Sequence, residues 1–314
     1  MRVIRQLADL PAAPAQAVII NCGTRWVTSL ALVSTLRNAA VPLLLIDCES
    51  EDGSEPHFRA LARRYQLAFH WLSWPLRDHG TTLDALFRDM RCERLLLVDS
   101  DVEIRSSAVY AQMHALLAAD AAGYGAGFLH RSGWMGREHG VVRNDGYYAE
   151  RMWIPLVLLK TDVVREALSR GSTFRARRRF LRANRTSMRS SLKAFMLRLV
   201  VYGGLGTSDR SVDGASRLPR FEGPEPLFIE YDTGAELHAA LLASGRRFCA
   251  LPDGLWGEVE HFHGITRASR LGVARRLVTG LRFAGANATR EIEIIARVRT
   301  RLRSTYGVEL DDSR

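Results

Sequence analysis

The 314-residue chain is 47% hydrophobic and 25% charged, a balance that excludes a wholly disordered chain and supplies a core for one large domain, or one domain with an elaboration. Its net charge is +10 and its pI about 10.0, so anions are the expected partners: nucleotide phosphates, nucleic acid or an anionic membrane surface. No apolar run reaches about 18 residues, so no membrane span is expected. The four cysteines are scattered without CxxC spacing and fit buried thiols in a reducing cytosol.

Residues 1–14 contain no continuous apolar run, so no export signal is expected. The first strand is Ala17-Val18-Ile19-Ile20, and it runs into the polar turn Asn21 to Arg25. Helical spacing follows over 26–39, with Leu30, Val33 and Leu36 on one face. A second buried strand, 41–46, ends at Asp47, and the acidic, turn-rich stretch Glu49 to Ser54 follows it. Residues 58–65 read as helix, 68–72 as strand and 82–90 as helix. Arg94-Leu95-Leu96-Leu97-Val98 is the strongest strand signal, closed by Asp99-Ser100-Asp101. Alternating strands and helices imply an α/β fold with a mostly parallel sheet covered on both faces. Ligands bind such sheets beyond the carboxyl ends of the strands, where the 21–25 turn, Asp47 and Asp99 all fall.

The middle of the chain is less regular. Residues 123–146 read as strand and loop, 152–159 as an apolar run, and 162–169 as helix. Residues 174–201 carry nine basic side chains and no acid. Interleaved Phe174, Phe180, Leu192 and Phe195 would make that stretch a basic amphipathic helix for an anionic membrane surface, or a solvated or oligomer-facing helix. Nucleic acid is the weaker alternative, because no zinc-finger, RNP or helix-turn-helix signature accompanies the charge. After a loop at 203–226 come a strand at 227–229, the segment Glu230 to Gly234, a helix at 235–244, a strand at 248–251, the motif His261-Phe262-His263-Gly264, and a basic helix at 266–303.

Asp99 and Asp101 place two carboxylates at i and i+2 just past a buried strand. Their mutual repulsion is costly unless something offsets it. A hard divalent cation would do so and would bridge a carboxylate to a diphosphate; a solvated strand-end turn is the plainer alternative. The order and spacing of these features resemble the GT-A nucleotide-sugar glycosyltransferases, family 2-like, over residues 17–105 and more loosely to about 265. The residues that carry the resemblance are Val18 to Arg25, Asp47 with Asp52-Gly53-Ser54, and Leu96-Leu97-Val98-Asp99-Ser100-Asp101, similar to that family's DXD motif.

The resemblance implies a GT-A domain over 1–265, with a nucleotide-binding half at 17–105 and an acceptor half at 106–265. A basic helical extension over 266–314 follows. It implies a Mn2+ or Mg2+ cofactor, a nucleotide-diphosphate sugar donor and a glycan or lipid-linked acceptor. Such an enzyme belongs in bacterial surface polysaccharide or glycoconjugate synthesis, in the cytoplasm or on the inner face of the membrane, with a homo-oligomer allowed. Asp101 would bind metal, with Asp99 contacting ribose or a metal-bound water. Asn21, Gly23, Thr24, Arg25, Asp47, Asp52 and Ser100 would line the donor. A late histidine would complete the metal site; of His261 and His263 the second is preferred, because Gly264 allows close backbone approach. Asp232, with Glu230 beside it, would be the base of an inverting enzyme. The alternative for Asp232 or Thr233 is to cap the 235–244 helix, with Glu236 completing a capping box. Two rival enzyme classes share fragments of this pattern. Haloacid-dehalogenase-type phosphatases use an Asp-x-Asp on the first strand and a later lysine, and here only Lys160 and Lys193 are available. Sugar nucleotidyltransferases share the Gly23-Thr24-Arg25 opening without its flanking glycines. A basic membrane- or nucleic-acid-binding module would leave the strand-end acids without a role.

Overall fold

The computed structural model describes residues 1–130, 146–180, 228–262 and 281–310. In chain order its elements are β1 (Arg2–Val3), β2 (Ala15–Asn21), α1 (Arg25–Asn38), β3 (Leu43–Asp47), α2 (Ser54–Tyr65), β4 (His70–Ser73), α3 (His79–Asp89), β5 (Arg94–Asp99), β6 (Val102–Ile104), α4 (Ser107–Ala119), β7 (Gly123–His130), β8 (Gly146–Tyr148), β9 (Arg151–Lys160), α5 (Thr161–Ser169), β10 (Arg177–Phe180), β11 (Phe228–Tyr231), α6 (Ala235–Ala243), β12 (Arg247–Ala250), β13 (Val259–His261) and α7 (Leu281–Tyr306).

Eight strands form one sheet in the order β1-β4-β3-β2-β5-β9-β7-β12. All pairings are parallel except those of β9, which runs against both β5 and β7. Side chains alternate between two cores, as a strand's period of two requires. Ala17, Ile19, Leu43, Leu45, Leu96, Val98, Leu156 and Leu158 pack on one face beneath α1, α2, α4 and α7. Val18, Leu44, Ile46, Leu95, Leu97, Val157 and Leu159 pack on the other beneath α3, α5 and α6. Each fully buried Leu, Ile or Val contributes about 1.5–3 kcal/mol of transfer free energy, and burial on both faces explains why these strands read as unbroken apolar runs. This is the mostly parallel, Rossmann-like α/β architecture that the GT-A resemblance implies.

Two small sheets accompany the large one. β10-β11-β8 forms a three-stranded sheet, and β13 pairs antiparallel with β6 as a short ribbon. Helix α7 lays Ile294, Val298 and Leu302, spaced by one turn each, into the same core as α1. Among the described residues no helix is long and apolar enough to cross a membrane, and no disulfide joins the cysteines.

Three expectations need correction. Helix α3 begins at His79, three residues before the expected start, because Asp78 caps it by accepting the Thr81 amide at 2.9 Å. The basic stretch from 174 does not open as an amphipathic helix. Phe174 is buried and stacks on Phe87 with 5.1 Å between ring centroids, and Arg177–Phe180 pair with β11 as a strand. Residues 181–201 lie outside the described residues. The capping box at α6 does not form either: Gly234, at φ +80°, is the N-cap, a left-handed conformation that glycine adopts at no steric cost.

Candidate active site

Parallel strands deliver their last residues to one edge, and the registers line those residues up. Asn21 at the end of β2 is opposite Asp47 at the end of β3, Asp47 is opposite Ser73 of β4, and Ile20 is opposite Asp99 at the end of β5. At this edge β2 turns through Gly23, at φ +66°, into α1. The Asn21 amide ties the turn together. Its Nδ2 donates to Asp47 Oδ1 at 2.6 Å, Ser54 Oγ at 2.9 Å and Ser50 Oγ at 3.1 Å. Its Oδ1 accepts from Thr28 Oγ1 at 2.8 Å and Thr24 Oγ1 at 3.1 Å. Thr24 Oγ1 also lies 3.2 Å from Ser100 Oγ, within hydrogen-bond distance, which connects the first turn to the acidic motif. Asp52 accepts the Arg25 amide at 3.1 Å and the Ser54 amide at 3.1 Å, holding the first turns of α1 and α2 together. The Arg25 guanidinium donates to the Asp52 carbonyl and lies over the Trp26 ring, 4.6 Å from its centroid. Asn21, Thr24, Asp47 and Ser100 are buried. They form a polar floor at this edge of the sheet, with Gly23, Arg25 and Asp52 partly exposed beside it.

Beside this floor lies the acidic cluster. After β5 ends at Asp99, the chain turns through Ser100 and Asp101 into β6. The β6–β13 ribbon pairs Val102 with His261, and the Phe262 amide donates to the Asp101 carbonyl at 2.8 Å. His261 Nε2 thereby lies 3.1 Å from Asp101 Oδ1. One ligand atom each from Asp99, Asp101 and His261 falls within 4.8 Å of the others. Asp101 is buried, and Asp99 is partly exposed, its side chain 30% accessible. The donor set of two carboxylates and an imidazole suits Mn2+, and Mg2+ if water supplies the remaining oxygens. His263, the preferred histidine, lies outside the described residues; His261 is the one at the cluster.

The electrostatics are those of a site prepared for positive charge. Burial pushes the Asp99 carboxyl above its ordinary range, His79 draws it back, and the neighbouring Asp101 charge raises it again. For His261 burial alone would lower the imidazole, but the hydrogen bond and charge of Asp101, with Asp99 behind it, hold it above its usual value. Trp153 packs edge-on against the His261 ring with centroids 5.5 Å apart, and fixes its plane.

Two residues that sequence reasoning missed complete the cluster. His79, at the start of α3, has Nε2 3.8 Å from Asp99 Oδ1. The signal for it was positional, since the loop after β4 opens at the same edge as those after β2, β3 and β5. Arg151, at the start of β9, pairs with Asp232 Oδ2 at 3.1 Å and acts electrostatically on both Asp99 and His261. Asp232 therefore sits across Arg151 from the acidic cluster, with its other oxygen accepting the Thr233 amide at 2.8 Å. Glu230 lies within β11, opposite Arg178 and Tyr148. Met152, Trp153, Ile154 and Tyr148 are buried packing groups. Lys160 is opposite Arg94 at the amino end of β5 and donates to the Asp120 carbonyl at 3.2 Å. It is thus a strand's length from Asp99, and a phosphatase reading has no lysine at the site among the described residues.

No protein-family model matches the sequence, and no curated protein matches it. Among solved structures, the chain is similar to a mannosyltransferase from Pyrobaculum calidifontis in complex with GDP-Man and Mn2+, at 17% identity and a TM-score of 0.38 over 54% of this chain and 52% of that one. It is similar to glucosyl-3-phosphoglycerate synthase from Mycobacterium tuberculosis at 14% identity and a TM-score of 0.33, over 48% and 57%. It is also similar to 4-diphosphocytidyl-2C-methyl-D-erythritol synthase from Anaerococcus prevotii, at 10% identity and a TM-score of 0.37, over 50% and 74%. The chain thus spans about half the length of the mannosyltransferase it matches.

Proposed function

We propose that the protein is a metal-dependent glycosyltransferase that moves a sugar from a nucleotide-diphosphate donor to a glycan or lipid-linked acceptor. The observation that carries this reading is the Asp99–Asp101–His261 cluster at the carboxyl end of a central strand, beside a hydrogen-bonded polar floor. A bound Mn2+ would neutralise the charge that develops on the departing nucleotide diphosphate. Asp101 and His261 would hold it, Asp99 would orient it or the ribose, and His79 beside Asp99 would face the diphosphate. The floor around Asn21 and Asp47 would receive the nucleoside. Asp232, aligned by Arg151, would take the proton of the acceptor hydroxyl if the reaction inverts configuration. Surface polysaccharide or glycoconjugate synthesis supplies acceptors of the required class, and residues 181–201 would bring the enzyme to an anionic membrane surface bearing them.

The test is hydrolysis of UDP- and GDP-sugars by the purified chain. We expect turnover that depends on Mn2+, is abolished by chelation and is lost in Asp101→Ala. Nucleotide-sugar turnover and metal dependence that survive Asp101→Ala would sink the reading. Flotation with phosphatidylserine vesicles at low and high salt tests the membrane contact, and no binding at either concentration removes it.

A further inference from the structure

The ribbon that assembles the cluster carries a charge conflict that something must offset. It consists of two three-residue strands, seated in the core through Val102, Ile104 and Val259. Its central pair sets Glu260 directly opposite Glu103, and like charges in that relation are destabilising. Glu103 is fully buried. Its carboxylate accepts from Arg301 Nε at 2.9 and 3.2 Å, from the Tyr306 hydroxyl at 3.0 Å and from Arg105 Nε at 3.2 Å. Glu260 accepts from Arg297 and from Arg105, so Arg105 spans both strands. Arg297, Arg301 and Tyr306 all belong to α7, whose Arg299 lies over Trp26, 4.8 Å from its centroid and next in sequence to the turn residue Arg25.

We propose that α7 is the brace that positions the metal cluster, with Arg301 and Arg297 as positioning residues acting through Glu103 and Glu260. This rests on the metal-site reading above. Glu103 is two residues from Asp101, and Glu260 immediately precedes His261. Neutralising both glutamates from one helix lets the ribbon pair and so brings His261 to a carboxylate 160 residues earlier. The charged pairs are shielded by burial on the Glu103 side, where an unpaired carboxylate is least tolerable.

The test is direct Mn2+ binding to the full chain, read by electron paramagnetic resonance of free Mn2+, together with amide exchange at Phe262. Arg301→Met is expected to weaken Mn2+ binding by about tenfold or more, as loss of a group that orients a ligand does, and to speed exchange of the Phe262 amide. Arg301→Lys should recover part of both. Tyr65→Phe serves as the comparison, because Tyr65 anchors only the tail of α7, through Glu309 at 2.7 and 3.0 Å. It should leave both readouts unchanged. Wild-type Mn2+ affinity in folded Arg301→Met overturns the proposal. If that variant does not fold, Arg297→Met, whose guanidinium is 61% exposed, decides instead, and unchanged Mn2+ affinity there overturns it. An unsubstituted chain that binds no Mn2+ overturns the metal-site reading itself, which distinguishes that failure from failure of the brace alone.

Discussion

Neutralising Asp99 should make the metal-free protein more stable while removing its response to metal. The Asp99 and Asp101 ligand atoms lie within 4.8 Å of each other. Two unit charges at that separation repel by about 3.5 kcal/mol at an effective dielectric constant of about 20. The Asp99 side chain is 30% exposed, so solvent screens part of this, and about 1–2 kcal/mol is a reasonable net cost in the absence of metal. The raised Asp99 carboxyl has the same sign, since a group that is harder to ionise in the folded state costs stability as pH rises through its folded value. In Asp99→Asn that cost disappears, and the thermal midpoint in EDTA at about pH 8 should rise by roughly 1.5–3 °C for a chain of this size. Saturating Mn2+ should raise the wild-type midpoint, about 2.7 kcal/mol of stabilisation at a hundredfold excess over Kd, and should scarcely move that of the variant. The assay is thermal unfolding with and without Mn2+. A lower midpoint for Asp99→Asn in EDTA, with the Mn2+ shift intact, would refute the view that these carboxylates are held together for a cation.

Three further outcomes follow from the same geometry. Mn2+ affinity should fall as pH drops through the raised titration of His261, because a protonated imidazole cannot ligate; in His261→Ala calorimetric titration should find affinity weak and nearly flat over that range. Asp232→Asn should lower kcat by about 10²–10⁴ if Asp232 is the base, with little change in donor KM; a kcat within a factor of about two of wild type would remove it from the chemistry. Asp84, buried on α3, accepts from the Thr173 hydroxyl and from the Phe174 amide at 2.8 Å. Asp84→Ala leaves both donors without that acceptor and should cost about 2–4 kcal/mol in urea unfolding, with Mn2+ affinity unchanged once the protein is folded.

The sequence made the central strands and the acidic edge readable for one physical reason. A parallel strand buried on both faces must be apolar throughout, so Leu43 to Ile46 and Leu95 to Val98 announce themselves, and the first polar residue after each marks the ligand edge. Strand β9 was less readable. Its eight residues between Arg151 and Lys160 are equally apolar, but Pro155 argues against a central strand. The structure accommodates it where the β5 ladder has ended, the last pair being Val98 with Leu156, and where the pairing with β7 shifts register. The antiparallel course of β9, which brings Arg151 to the site, is likewise invisible in composition. The β6–β13 ribbon escaped local pattern altogether, because its partners are some 160 residues apart in sequence and are matched by paired charges rather than by periodicity. Glu103 in particular reads as an ordinary strand acid until α7 is folded over it.

The amide of Asn21 has a direction, and the polar floor around it inherits it. Its oxygen gathers donors from α1 and the β2 turn, while its nitrogen serves acceptors in the loop from Asp47 to Ser54. The two sides of this floor are therefore chemically unlike, and one side chain of fixed polarity keeps them so. An aspartate of the same shape would set carboxylate against carboxylate at the 2.6 Å contact with Asp47, while a leucine would serve neither side. Asparagine is the side chain of this size and shape that offers an acceptor to one loop and a donor to the other, and through Thr24 and Ser100 that asymmetry reaches the turn that carries Asp99 and Asp101.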